Sequence, residues 1–597
     1  MNLKRTRLCW VGDGTRPIWS AGHSKGQAGV VSINCNERFG RSLDGPRRPP
    51  RLAVWCFAPL ILLSALETTA RTRVSPGTVP DNSYIGDRAC QQCHAGIYES
   101  FLKTAMAKAS GPAKGSLIPG DFNHAASHVH YRVFEASGHA WLSFDREASY
   151  AIHDRRELLY FIGSGRRGRT YIFAKEGFFF ESPINWYGQQ RLWDMTPAYQ
   201  GSKHMPLNLP LAASCLDCHT SHPQAPFPGT ENKYAEPLIS QEGIGCERCH
   251  GPGANHAKNH GTIINPSKLA PARRDAVCMQ CHLEGDAAIQ QPGHTLGEFR
   301  PGEDLQDYVH YFVFPGTVRN LPAVSQFEAL WQSKCKRKSG DSFSCTTCHD
   351  PHSSPNPADK VAYYRQKCLA CHDTAFARKH HKSNPDCVSC HMRAVPSSNI
   401  AHTQATDHRI LRYPEEAPPV TAVEQPAGLE RFPPVETKID DRDLALAEES
   451  ISPHTATAAK REELLRKALA EKPNDPALLT AIGYLYQSLR KSELSRQFYE
   501  RALQIAPLEN AAATNLGVIE AQAGNLERAV QLWESAFDRA PDNIAIGLNL
   551  SKVLWQQGKQ AQAREELKRL LEFNPDYPDA EDLLREWSGD NSDPIRH

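Results

Sequence analysis

The 597-residue chain has almost no net charge, since 68 Lys and Arg stand against 67 Asp and Glu. A balance of +1 sets up no global field toward nucleic acid or an anionic membrane. Long apolar runs are lacking as well. The run at residues 52–66, LAVWCFAPLILLSAL, has 15 residues, fewer than the roughly 20 that a membrane-spanning helix needs. Arg47, Arg48 and Arg51 precede it and Glu67-Thr-Thr-Ala70 follows, so residues 47–70 read as a signal peptide, with an uncleaved anchor as the alternative. Bulky Trp55 before Cys56 does not fit a lipoprotein box. Methionine is sparse: after Met1 the next is Met106. Residues 1–46 are rich in Gly, Arg and Ser and have no apolar periodicity, which points to a translation start nearer Arg47, and no function is legible in that stretch.

Cysteine and histidine, by contrast, are plentiful at 18 and 26. Fourteen of the cysteines fall in one pattern, Cys-x-x-Cys-His, which occurs seven times. The motifs are Cys90/Cys93/His94, Cys215/Cys218/His219, Cys246/Cys249/His250, Cys278/Cys281/His282, Cys345/Cys348/His349, Cys368/Cys371/His372 and Cys387/Cys390/His391. This composition would produce about 0.02 such matches by chance. Two cysteines three apart share one turn and can each form a thioether with a haem vinyl group. The adjacent histidine then offers its imidazole to the iron. Zinc also uses Cys-x-x-Cys pairs, but it would not require a histidine after every second cysteine. Seven covalent haems c are therefore expected, with attachment outside the cytoplasm.

Spare histidines are the natural sixth ligands. His256, His352, His381 and His408 are the first candidates, with His222, His128 and His310 behind them. His380 precedes His381, and His402 lies between His391 and His408. Met106, 12 residues after His94 on the following helix, is a candidate thioether ligand for the first haem, and core packing is its other reading. Cys335 lies outside every motif; a free thiol, an intermolecular disulfide and an iron ligand all stay open.

Along the chain, residues 82–411 read as the multihaem domain. Alternating segments such as His128-Val-His-Tyr-Arg-Val-Phe place a small β-rich insertion at about 120–200. Motifs two to seven crowd into 215–391 with starts 19 to 67 residues apart. Little regular structure fits between them, so the porphyrins are expected to be the core. Residues 412–440, rich in proline, read as a stiff extended linker that lets the two parts fold separately. Beyond it, Pro473, Pro507, Pro541 and Pro575 recur every 34 residues, as do Gly483 with Gly517 and Ala468 with Ala502 and Ala536. That is the tetratricopeptide period. Residues 441–590 should hold a half repeat, three full repeats from 476 to 577 and a capping helix at 578–588. The expected fold is mainly α, with an α-solenoid following the haem-packed domain.

The first motif and its helix resemble the cytochrome c-554 type of multihaem domain. Cys345-Thr-Thr-Cys-His-Asp-Pro-His352 and Cys387-Val-Ser-Cys-His-Met392 resemble the paired Cys-x-x-Cys-His domains of the same superfamily. Gly163–Tyr171, Ser182–Tyr187 and Trp193-Asp-Met resemble the insertion of cytochromes with a C-terminal tetratricopeptide array, and Thr406-Asp-His408 resembles their closing distal-histidine segment. The resemblance implies electron transfer, in a superfamily that includes hydroxylamine-oxidising and nitrite-reducing enzymes. Two departures stand out. No Cys-x-x-Cys-Lys motif occurs, and Met106 stands where the c-554 type commonly has histidine. The expected function is therefore an extracytoplasmic electron carrier whose repeats dock redox partner proteins or a membrane complex. The alternative is an oxidoreductase acting on a small nitrogen or sulfur compound, with Arg166, Arg167 and Arg169 as an anion site.

Overall fold

The computed structural model describes residues 83–147, 150–314, 322–373, 375, 380, 384–412, 428–434, 439–451 and 457–589. The expected signal peptide at 47–70, the stretch 1–46, most of the linker and His381 lie outside the described residues.

Helix α1 (Asp87–Phe101) carries the first motif. Two antiparallel sheets follow. In one, β2 (Gly120–His124), β3 (Val129–Ala136), β4 (His139–Arg146) and β5 (Ile152–Leu158) run as a meander. In the other, β1 (Ser110–Pro112), β6 (Tyr160–Ile162), β7 (Gly168–Lys175), β9 (Ile184–Tyr187) and β10 (Leu192–Met195) lie side by side, with β8 (Phe178–Glu181) paired to β7. The strands thus begin at Ser110, earlier than the pattern at 128–144 suggests. Tyr131, Leu142, Phe144, Tyr171 and Phe180 are buried in their shared core. In β3 and β4 alternate side chains face that core, the period a one-sided strand requires.

The crowded segment holds short helices: α2 (Ala213–His219), α3 (Glu247–His250), α4 (Ala254–Asn259), α5 (Pro271–His282), α6 (Gln326–Gln332), α7 (Lys334–Ser339), α8 (Lys360–Leu369) and α9 (Cys387–His391). The expectation that this segment builds no side-chain core is corrected. Met279, Leu296, Phe299, Leu305, Tyr311 and Phe327 form a buried apolar cluster with Phe432. Strands β11 (Ala287–Gln290) and β12 (Val309–Val313) run beside it, and β13 (Ala394–Pro396) pairs with β14 (Gln404–Thr406).

Phe432 comes from the stretch read as a spacer, and that reading is corrected too. Strand β15 (Glu430–Phe432) pairs antiparallel with β12, so part of the linker completes a three-stranded sheet. The C-terminal array then starts with two helices, α10 (Asp441–Ile451) and α11 (Ala458–Glu471), rather than a half repeat. Three repeats follow: α12 (Pro476–Ser488) with α13 (Ser492–Ile505), α14 (Asn510–Gln522) with α15 (Leu526–Arg539), and α16 (Ile544–Gln556) with α17 (Gln560–Phe573). Helix α18 (Pro578–Ser588) caps them. Pro473, Pro507, Pro541 and Pro575 each sit two residues past a helix end. A side chain on Gly517 would run into the ring of Trp533, which is why the position stays small where the two helices cross.

The array does not stand apart. At one end Leu446 and Leu478 share a buried cluster with Ile289, Phe312 and Leu429. At the other, Phe573 packs edge-on against Phe178 and Phe180, at 6.2 and 6.0 Å between ring centres. Between these ends Gly229 lies against Leu508 and Arg539. The separate folding read from the proline content is thus corrected by shared apolar cores at both ends of the array.

Candidate metal centre

Interlocked turns bring the Cys-x-x-Cys-His motifs together. The carboxylate of Glu247, inside the third motif, accepts from the backbone N–H of Ile85 and Gly86, the free donors before α1. Asp87 of α1 accepts in return from Cys246 N at 2.7 Å. Arg248 donates to the Asp217 carbonyl of the second motif at 3.0 Å. The thiols of Cys218 and Cys281 point at backbone carbonyls of each other's motifs, Gln280 O and Asp217 O. Lys336 Nζ donates to Asp275 of α5 and to Phe343 O, joining the fourth motif to the fifth. These buried charges at unassigned motif positions were not singled out from the sequence, although Glu247-Arg248 inside a motif was a visible signal.

One cavity of about 3190 Å³ runs through this assembly. Both cysteines and the histidine of each of the first five motifs line it, with Cys368 from the sixth. A pocket for one drug-sized ligand spans about 300–1,000 Å³, so this space suits several large groups. Cys371 and His372 of the sixth motif, and Cys387, Cys390 and His391 of the seventh, are not part of its wall. The seventh motif reaches the cavity through Val388, with Met392 beside it. Of the five residues outside the wall, Cys371 and His372 are exposed. Helix α9 buries none of its residues, and Cys390 is only half-buried, its Sγ lying 4.0 Å from Ser389 Oγ. The Cys387 thiol turns toward Pro385 O at 3.8 Å. Cys387 and Cys390 still sit three apart on one helical turn, the spacing that thioether attachment needs.

Four histidine pairs mark positions within the assembly. The ring centres are 6.3 Å apart for His94 and His256, 6.0 Å for His250 and His352, 6.3 Å for His349 and His408, and 5.8 Å for His380 and His391. Each pair joins a motif histidine to one outside the motifs. With a His nitrogen–metal bond of about 2 Å and about 1 Å more to the ring centre, two imidazoles on opposite sides of one ion lie roughly 6 Å apart. The four spacings fit that arrangement.

Hydrogen bonds fix which nitrogen faces the gap. Nδ1 of His250, His256 and His391 lies 2.7 Å from the carbonyls of Ile264, Gly261 and Leu411, and that of His408 lies 2.9 Å from Thr406 O. A carbonyl only accepts, so Nδ1 carries the proton and Nε2 keeps its lone pair for a metal. Burial pushes His250, His349 and His408 below the ordinary histidine value, His408 to about 4, so these rings are neutral.

The other candidates stand in none of these pairs, although Met106, Arg166, Arg167 and Arg169 line the cavity. Met106 lines the cavity, but the ring across from His94 is that of His256. His128 is exposed in the β2–β3 turn. His222 stacks edge-on against Tyr84 at 4.6 Å, and His310 donates from Nδ1 to Asp443 of α10 at 2.6 Å. His380, next to the favoured His381, is the residue found opposite His391. Of the three arginines read as an anion site, Arg169 donates to the carbonyls of Gly163 and Ser116 and covers the ring of Phe161, so it holds a loop. Arg167 donates to Ala323 O. Tyr364, not singled out from the sequence, packs edge-on against His349 at 5.8 Å.

Comparison with known proteins agrees with this chemistry. The model for cytochrome c554 and c-prime matches residues 193–251, and that for the doubled CXXCH motif matches 338–377. Tetratricopeptide repeat models match 480–544 and 520–586. A curated relative, the multiheme cytochrome MtrA of Shewanella baltica (strain OS185), is 26% identical over 181 residues, covering 27% of this chain. The match spans about half of that relative, 52% of its length. Among solved structures, MamA 41-end from Desulfovibrio magneticus RS-1 covers 25% of this chain and 87% of its own at 14% identity and a TM-score of 0.24. Pseudomonas aeruginosa pilF covers 25% and 70% at 18% identity and a TM-score of 0.24. Over these segments the chain is similar to c-type cytochromes of the multihaem class. More particularly, it combines cytochrome c-554-type and paired Cys-x-x-Cys-His segments with a tetratricopeptide array. Among the described residues no helix is long and apolar enough to cross a membrane.

Proposed function

We propose that this protein carries seven covalent haems outside the cytoplasm and passes electrons between redox partners, with four of the irons held between two histidines. The four ring pairs are the observation that carries this reading. His94 with His256, His250 with His352, His349 with His408 and His391 with His380 would each hold one iron, and the fourteen motif cysteines, from Cys90 to Cys390, would hold the macrocycles. A bound haem supplies a one-electron carrier that cycles between ferric and ferrous iron. The Nδ1–carbonyl bonds hold the imidazoles of His250, His256, His391 and His408 in the ligating tautomer, so little rearrangement of these rings is needed when the charge at the site changes. Histidine on both faces gives a lower potential than a Met/His pair, and in this reading Met106 packs against the cavity instead of ligating the first haem.

The test is His352→Ala in the holoprotein. It should keep seven haems by pyridine haemochrome assay and convert one low-spin ferric signal to high-spin in the electron paramagnetic resonance spectrum. An unchanged spectrum would show that His352 is not a ligand.

A further inference from the structure

We infer that an acidic redox protein docks on a basic rim around the sixth and seventh motifs, the outer end of the motif row. The inference rests on the electron-transfer reading above. Helices α8 and α9, which carry these motifs, have no buried residue, whereas α5 of the fourth motif buries five. Cys371 and His372 are exposed, and of the sixth motif only Cys368 reaches the cavity. Groups attached here sit at the surface, where a partner can approach.

Charge is segregated at the same place. The described residues of 334–393 contain 8 Lys and Arg and 5 Asp, a balance of +3. The array at 441–589 has 18 Lys and Arg against 24 Asp and Glu, a balance of −6. The two segments thus carry net charges of opposite sign. Lys334, Arg337 and Lys338 of α7, Lys360 at the start of α8 and Arg393 beyond α9 are exposed. Helix α7 reaches α8 through the fifth motif: Lys336 Nζ donates to Phe343 O at 2.8 Å, two residues before Cys345, and His349 of that motif packs on Tyr364 of α8 at 5.8 Å. Of the five acids, Asp350 and Asp386 are engaged by local backbone N–H groups, at His352 and at Val388 with Ser389. An exposed patch of one sign attracts an oppositely charged partner over about one Debye length, roughly 8–10 Å at physiological salt, and orients it before contact. On docking, one electron would leave the partner's reduced centre and convert one ferric haem to ferrous, with no atom transferred.

The experiment uses the full-length holoprotein and reduced plant-type ferredoxin, an acidic one-electron donor, in stopped flow. The rim variant is Lys334→Glu with Arg337→Glu and Lys338→Glu. A control of equal charge change on the array is Arg528→Glu with Lys559→Glu and Lys568→Glu. At low salt the rim variant should slow the second-order reduction about ten-fold or more, with haem content and visible spectrum unchanged. The control should stay within two-fold, and the wild-type rate should fall as salt rises. A rim variant within two-fold of wild type, or a control slowed equally, overturns the docking site. So does wild-type pelleting with phosphatidylglycerol vesicles that the rim variant abolishes while ferredoxin rates stay equal, since the rim would then serve a membrane. Failure of the underlying reading shows separately, as wild-type haems that dithionite does not reduce reversibly.

Discussion

Replacing Asp576 by alanine removes the carboxylate that ties the end of the repeat array to the β-rich segment. Arg146 donates to it in a fork, Nη1 to Oδ2 at 2.8 Å and Nη2 to Oδ1 at 2.7 Å. The side chains are 8% and 0% exposed. Met205 N donates to the same group at 2.5 Å. An exposed pair such as Arg585–Asp582 is worth about 0–1 kcal/mol. Here truncation would strand a buried guanidinium, which costs about 3–5 kcal/mol. With a urea slope of about 2 kcal/mol per molar, the midpoint should drop by roughly 2 M. The readout is the unfolding of the array, followed by the fluorescence of Trp555 and Trp587, which stack 4.4 Å apart. The pair Arg146→Met with Asp576→Leu should recover most of the loss, because a buried apolar pair replaces an ion pair at little cost. A shift below about 1 kcal/mol for Asp576→Ala would show that the array does not lean on the β-sheet, and an unrecovered double variant would place the effect outside this pair.

Met106→Leu should leave every midpoint potential where it is, whereas His256→Met should raise one; a redox titration in which Met106→Leu moves a component would reverse the assignment at the first motif. Asp542, beside the cavity, has its carboxyl pushed up by burial to about 7. The native state then holds that proton more tightly than the unfolded chain, so its stability falls as pH rises from about 4 to about 7. Asp542→Asn removes this penalty, and its stabilisation should be larger at pH 8 than at pH 5 in parallel thermal melts; an equal effect at both would refute the argument.

How much of this was legible follows from how local each signal is. The repeat register was readable because each proline ends its own helix and each small residue meets the next helix of its own repeat, as Gly517 meets Trp533. The packing of the array was not readable. Phe573 completes the helix period of α17 and also fills a gap against Phe178 and Phe180, and one apolar position cannot announce two roles. Residues 430–432 were lost among prolines, because Glu-Arg-Phe is too short, and too polar at its first two positions, to show the period of a strand. The motif cysteines were legible as a set, but the spacing that marks Cys387 and Cys390 is the same as that of the interior motifs, so it could not tell cysteines outside the wall of the shared cavity from those that line it. The histidines occupy a middle ground. His256, His352 and His408 stood out as spare imidazoles, but they face His94, His250 and His349 across 162, 102 and 59 residues of chain. No local rule spans such distances. Their order nevertheless has a physical logic. His256 follows the third motif, His352 follows the fifth and His408 follows the seventh, while their partners belong to the first, third and fifth. Each segment thus positions its own motif histidine and also presents a ring to the preceding odd-numbered motif. A displacement at the fifth motif would carry His352 away from His250, so the sites are coupled in series through the backbone. That coupling requires neighbouring odd-numbered motifs to be close in space, the proximity on which electron transfer along such a row would depend.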